Sequence, residues 1–201
     1  SSFVDPGTLL RTELTKESVR RLLDQTTKGA NYRPMADVVT EQSVVNAIVM
    51  MMATGGSTNL TLHLIAMAAA AGIQMTWEDM DEVSRQTPLL ARVYPNGQAD
   101  VNHFEQAGGL AYVVYQLRRQ GLLNEDVVNV MGEGLDAYTC KPELDADRVI
   151  SWGAPVADSG DDTILSPIEK PFAPEGGMRT VKGNLGTGVV KISAVEEQYQ
   201  V

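Results

Sequence analysis

The chain has 201 residues, 43% hydrophobic and 21% charged, the balance of a globular rather than a disordered protein. Its 26 acidic and 16 basic residues leave a formal net charge of −10, which repels a nucleic-acid backbone and requires any anionic ligand to find a local cluster of donors. One cysteine, Cys140, precludes an internal disulfide and fits a reducing cytoplasm, and the first residues have neither the basic region nor the apolar run of a signal peptide.

Residues 8–25 read as an amphipathic helix, with Leu10, Leu14, Val19, Leu22 and Leu23 near one face and Lys28-Gly29 as its stop. Asn31-Tyr32-Arg33-Pro34 is a loop. Thr40 is placed to cap a helix over 41–53, and the run from Val44 to Met52 predicts burial on most sides. From Gln42 to Trp77 there is no Asp, Glu, Lys or Arg, and Thr54-Gly55-Gly56-Ser57-Thr58-Asn59 interrupts that tract. A second apolar helix over 60–71 follows, stopped by Gly72, and its Met and Ala side chains read as core packing. The glycine corner cuts the tract into pieces shorter than the about 20 residues of a membrane span, and Asn46, Asn59 and His63 would be stranded in lipid.

Thr76-Trp77-Glu78-Asp79 resembles a capping box opening a helix to about residue 85, which Thr87-Pro88 breaks. Tyr94-Pro95-Asn96-Gly97 is a turn, and Asp100 caps a short helix over 101–107 that meets a second pair, Gly108-Gly109. A helix over 110–120 ends in a cationic turn and Gly121, and Asn124-Glu125-Asp126 begins another, to about residue 131. Near Trp152 the composition shifts: Pro155, Pro167, Pro171 and Pro174 punctuate the chain and helical period disappears. Residues 178–181 and 189–195 read as strands joined by a turn at 183–186. The predicted class is α+β, a mainly helical part over residues 1–150 followed by the opening strands of a separate β domain over 151–201. The missing initiator methionine, and a last strand that runs on past residue 195, read as a piece of a longer polypeptide.

The glycine corner is the first candidate site. Gly55 and Gly56 can take backbone angles closed to other residues, and Ser57 or Asn59 can cap the helix that follows. The first amides of that helix suit a carboxylate or phosphate. An ordinary turn between two core helices fits the same pattern equally well. His63 lies one turn beyond Asn59, and His103 just precedes the second glycine pair; a core His63 with a surface His103 also fits. Two His and one Cys, with no HxxxH, CxxC or HExxH spacing, make a metal site built by this chain alone weak. No nucleophile elbow, GxGxxG or phosphate-binding loop occurs, and Gly183 to Gly188 fits a hairpin turn better than a phosphate loop.

Several strings in order carry a resemblance: Ser1-Ser2-Phe3-Val4 with Pro6 and Leu10-Arg11, Ala53 to Asn59 with His63-Leu64, Tyr94 to Gly97 with Ala99-Asp100, Asn102-His103-Phe104, Ala107-Gly108-Gly109 and Gly183 to Gly186. Together they resemble the dehydratase family that includes dihydroxy-acid dehydratase and the sugar-acid dehydratases, and the Asn-His-Phe and Tyr-Pro-Asn-Gly strings resemble its phosphogluconate branch. The resemblance implies a longer enzyme, of which this is the second part of an N-terminal cluster-binding α/β domain and the start of a C-terminal β-barrel-like domain. It implies loss of water from 6-phospho-D-gluconate, an iron–sulfur cluster whose cysteines lie outside this chain, a divalent metal such as magnesium in related members, and a homodimer. It further implies that Gly55, Gly56, Ser57, Thr58 and Asn59 line the substrate cavity, that Asn102 and His103 face it and favour a phosphorylated sugar acid, and that Cys140 is structural. No catalytic or metal-binding residue is expected here, and the piece alone is expected to be inactive. Two other readings stand beside it: a dehydratase for an unphosphorylated sugar acid or a branched dihydroxy acid, and a non-catalytic helical module using Met50-Met51-Met52 as a docking face.

Overall fold

The computed structural model describes residues 3–195 and residue 199. Seven helices come first: α1 (Leu9–Asp24), α2 (Met35–Val38), α3 (Glu41–Ala53), α4 (Thr58–Ala70), α5 (Trp77–Gln86), α6 (Val101–Ala107) and α7 (Gly109–Arg119). Three separate antiparallel pairs follow: β1 (Val128–Asn129) with β2 (Gly132–Glu133), β3 (Cys140–Leu144) with β4 (Ile150–Pro155), and β5 (Arg179–Gly183) with β6 (Gly186–Val190). Among the described residues no barrel forms, and no helix is long and apolar enough to cross a membrane.

Helix starts follow local chemistry. Thr8, Thr40, Thr76 and Asp100 each accept a hydrogen bond from an amide of the first turn they precede. At Thr40 and Thr76 the third helical residue, Ser43 or Asp79, bonds back to the cap amide, closing a capping box. Two apolar clusters fill the interior. One gathers Val49, Ala53, Tyr112, Val113, Leu117 and Leu165; the other gathers Ile48, Met51, Met52, Leu64, Met80 and Met178. Helix α3 contributes to both and runs between them. Leu165, Ile168 and Met178, from beyond residue 150, lie in the same clusters as the helices.

The structure corrects the sequence reading at several elements. Helix α1 ends at Asp24, within a residue of its expected end, but its C-cap is Gln25 and not Gly29; Gly29 sits where a side-chain carbon would collide with the Asp24 backbone, so it permits a close approach instead of capping. Helix α4 is not buried all round: only Thr61, Leu64 and Ala68 are buried, and His63 is exposed instead of lying in the core. Residues 124–131 are not helical. The Asn124 amide donates to Asn46 Oδ1 at 2.8 Å and its carbonyl accepts from Asn46 Nδ2 at 2.9 Å, a tertiary clasp that takes the group expected to start a helix. The β1–β2 pair follows, with Gly132 and Gly134 at positive φ. The last strand ends at Val190, and a 3-10 turn over Ile192–Ala194 replaces its expected continuation; the part beyond residue 195, apart from Tyr199, lies outside the described residues, as do Ser1 and Ser2. Met51 and Met52 are 2% exposed, so the methionine run is core and not a docking face. The β5–β6 pair is as expected: Gly183 pairs with Gly186 across the two-residue turn Asn184-Leu185.

Candidate functional site

Gly55 has φ +59°, a left-handed conformation that glycine adopts without penalty, and it reverses the chain between α3 and α4. The corner is packed from two sides. A side-chain carbon on Gly55 would lie 2.0 Å from Asn96 Nδ2, and one on Gly177 would lie 2.8 Å from the Gly55 Cα. Asn96 Nδ2 donates to the Gly55 carbonyl at 3.1 Å, and Asn96 Oδ1 accepts from Ser193 Oγ at 2.9 Å. Ser193 Oγ also lies 3.1 Å from the Gly177 carbonyl, and its amide donates there at 3.2 Å. The Tyr-Pro-Asn-Gly turn therefore locks the glycine corner to the segment after β6. Its first bond, Tyr94-Pro95, is cis.

Beyond the corner Ser57 caps α4, its hydroxyl accepting from the Asn59 amide at 3.2 Å. Ser57, Thr58 and Asn59 are exposed. Thr58 and Asn59 open onto a cavity of about 280 Å³ that α4 shares with Trp77 and with Thr187 to Val189 of β6. His103 opens onto a different cavity, of about 810 Å³, with Asn96 and Ser193 also in its wall. Asn102 is exposed and lines neither cavity, and Gly56 and Ser57 line neither. Among the described residues the expected site thus divides in two. Asn96 joins the halves, since one side chain holds the Gly55 carbonyl and faces the larger cavity.

Sequence reasoning missed Arg92, Phe172 and Ser193 in the wall of that cavity. An extended segment places them. The Leu90 amide donates to the Ala53 carbonyl at 2.7 Å, Arg92 to Ile164 at 2.9 Å, and Phe172 to Leu89 at 2.9 Å. The Arg92 guanidinium lies 4.5 Å from the centroid of the Phe172 ring. The one available signal was an isolated arginine two residues before a turn, with its partner ring eighty residues further along the chain.

His103 is the third residue of α6. Its Nδ1 lies 3.3 Å from the Asp100 amide and 2.9 Å from Asp100 Oδ1, and the same carboxylate accepts from the Asn102 and His103 amides at 2.8 and 3.0 Å. The His103 amide, then the Asn102 amide and the imidazole, hold the Asp100 carboxyl below its usual range. Asp161, nearby, is lowered by the Thr163 hydroxyl and amide, at 2.6 and 2.9 Å. Both carboxylates are engaged in local turns.

A protein-family model described as dihydroxy-acid/6-phosphogluconate dehydratase N-terminal matches residues 1–138. The phosphogluconate dehydratase of Pseudomonas aeruginosa is 53% identical over 201 residues, 100% of this chain and 33% of that protein. That of Zymomonas mobilis is 46% identical over 199 residues, 99% of this chain and 33% of the relative. The dihydroxy-acid dehydratase of Nitratidesulfovibrio vulgaris is 36% identical over 196 residues, 96% of this chain and 32% of its own length. The chain spans about a third of the length of these relatives.

Proposed function

The chain belongs to the dihydroxy-acid/6-phosphogluconate dehydratase family, and on that premise we propose that it is an internal part of a hydro-lyase converting 6-phospho-D-gluconate to 2-dehydro-3-deoxy-6-phospho-D-gluconate. The observation that carries the reading is likeness over the whole chain to phosphogluconate dehydratases, at 53% and 46% identity, against 36% for the dihydroxy-acid dehydratase. The finer division, 1–150 in the N-terminal domain and 151–201 opening a C-terminal β-barrel-like domain, belongs to the same proposal, as do a homodimer and a cytoplasmic setting.

The residues of this chain do not fit an iron–sulfur cluster. Such a cluster takes several cysteine thiolates, and Cys140 stands alone, its Sγ 3.8 Å from the Asp136 carbonyl and 3.7 Å from Thr139 Oγ1. Nor, among the described residues, do three or more His, Cys, Asp or Glu converge on a point that a divalent metal could take. In this reading the cysteines of the cluster belong to other segments of the longer protein.

This chain's share of the work is to hold substrate. Dehydration removes the proton beside the carboxylate and expels the 3-hydroxyl, so the sugar acid must be fixed at both ends relative to the reacting carbons. Ser57, Thr58 and Asn59, backed by Gly55 and Gly56, present the first turn of α4 to an anionic group. Asn102 and His103 take part from α6. The test is dehydration of 6-phosphogluconate by the purified full-length gene product, read as ketone formation, with Ser57→Ala and His103→Ala alongside. Each variant is expected to lower kcat/KM by about tenfold, the worth of one hydrogen bond to a charged group. A full-length protein inactive on this substrate defeats the reading. Active variants with wild-type kinetics defeat only the residue assignments.

A further inference from the structure

We propose that Arg92, seated on Phe172 and joined by His103, forms an anion subsite in the larger cavity that grips the phosphate monoester of the substrate. This deepens the reading above and rests on it for the identity of the anion.

The cavity wall departs from the rest of the molecule in charge. The chain carries 26 acidic residues, yet among the described residues the wall of this 810 Å³ cavity holds no carboxylate. Its charged or ionisable members are Arg92 and His103, and Gln98 supplies a neutral donor; Asn96, Ser193 and Thr163 also line it, with their donors turned to Gly55, Asn96 and Asp161. Asp100 Oδ1 lies 2.9 Å from His103 Nδ1 and accepts from the Asn102 and His103 amides, and Asp161 accepts from the Thr163 amide and hydroxyl. A dianion entering here meets donors without an opposing carboxylate in the wall.

Arg92 is placed differently from Arg85, Arg118 and Arg119. Arg85 pairs with Asp81 at 2.8 Å, Arg118 with Glu125 at 2.6 Å, and Arg119 with Glu169 at 2.9 Å. Arg92 enters no ion pair among the described residues and lies over an aromatic ring instead. Stacking occupies the face of a guanidinium and leaves its in-plane N–H fork for bidentate contact with phosphate oxygens. The backbone on either side is held: the Arg92 amide bonds to Ile164 at 2.9 Å, and that of Phe172 to Leu89 at 2.9 Å. The ring and the two backbone anchors thus place the guanidinium at the cavity wall. His103 adds a second donor: with Nδ1 accepting from the Asp100 amide, Nε2 carries the proton and can donate it to a ligand.

The test uses the full-length gene product, with 6-phosphogluconate, gluconate and inorganic phosphate as probes. In wild type, inorganic phosphate is expected to inhibit competitively against 6-phosphogluconate. Arg92→Ala is expected to lower the preference for 6-phosphogluconate over gluconate, as a ratio of kcat/KM, by about 10- to 100-fold, and to weaken phosphate inhibition by a similar factor. Arg92→Lys, which keeps the charge and loses the fork, is expected to fall between. Arg85→Ala, which removes a cation outside the cavity, is expected to leave the ratio unchanged. If Arg92→Ala retains the wild-type ratio and wild-type phosphate inhibition, the subsite is refuted while the dehydratase reading stands. If the wild type does not dehydrate 6-phosphogluconate but binds phosphate by titration calorimetry, and Arg92→Ala does not, the subsite stands and the substrate assignment falls.

Discussion

Two helices leave the Gly55–Gly56 corner, and they meet opposite surroundings. Helices α3 and α4 each have 13 residues, and apart from Glu41 neither carries a charge. Yet α3 buries Val44, Asn46, Ile48, Val49, Met51, Met52 and Ala53, while α4 buries only Thr61, Leu64 and Ala68. The difference is position. Helix α3 lies between both apolar clusters and touches α4, α5 and α7, whereas α4 adds Leu64 and Ala68, with part-buried Ile65 beside them, to one cluster and leaves most of its other residues exposed. A helix apolar all round announces that it is made for burial. It does not say which segments do the burying, and a chain spanning about a third of its relatives leaves that question to the other two thirds.

The comparison is tested hardest in α3. Ile48 is 2% exposed, and Ile48→Ala is expected to cost about 2–5 kcal/mol in urea unfolding, from lost burial and the cavity left behind. A cost near zero would mean that α3 is no more anchored than α4.

At the corner itself two glycines separate strain from crowding. Gly55 and Gly72 both have positive φ, at +59° and +78°, but a side-chain carbon on Gly72 meets nothing within 4 Å, while one on Gly55 meets Asn96. Gly72→Ala is expected to cost about 1 kcal/mol, the left-handed penalty alone, and Gly55→Ala about 1–2 kcal/mol more as Asn96 is displaced. Equal costs would show that Asn96 yields freely and does not pin the corner.

How much of this was legible follows from the range of each interaction. The caps at Thr40, Thr76 and Asp100 were readable because each is a side chain bonding an amide two or three residues on. The β5–β6 hairpin was readable from Gly183-Asn184-Leu185-Gly186. The non-helical course of 124–131 was not, because Asn46, 78 residues away, takes both the amide and the carbonyl of Asn124. The β3–β4 pair was also missed; its strands carry Pro142 and Gly153, residues that weaken a strand signal, and its register shifts between Cys140 and Pro142. The same holds at the candidate site. The Gly-Gly-Ser-Thr-Asn corner stands out as a string, but Arg92 gains its meaning only when Phe172 folds beneath it. The split of Asn59 and His103 between two cavities is likewise a property of the assembled walls.

The caps of the two helices offer a finer contrast. Thr40 is part-buried and closes a reciprocal box with Ser43, whereas exposed Ser57 makes a single bond to the Asn59 amide. Thr40→Ala is expected to cost about 1 kcal/mol and Ser57→Ala about 0.5 kcal/mol by the same unfolding measurement. A reversed order would mean that α4 depends on its first turn more than its surroundings indicate.

The smallest effect is expected on the outer face of α4, and it is the most informative about the missing surroundings. Leu62 and Met67 are 59% and 54% exposed. Met and Lys have similar helix propensities, so Met67→Lys in this chain removes little burial and disturbs no local preference. The expected change is within about 0.5 kcal/mol, as for other surface substitutions. The same substitution in the full-length gene product reads the other side of the comparison. There a lysine would have to lose its hydration wherever other segments cover α4, and an uncompensated buried charge is among the few changes that cost several kcal/mol. A large effect in the full-length protein and a small one in this chain would place α4 in the same class as α3, a core helix whose cover is supplied by sequence outside these 201 residues. Small effects in both would make it a surface helix, and its lack of charge would need another explanation.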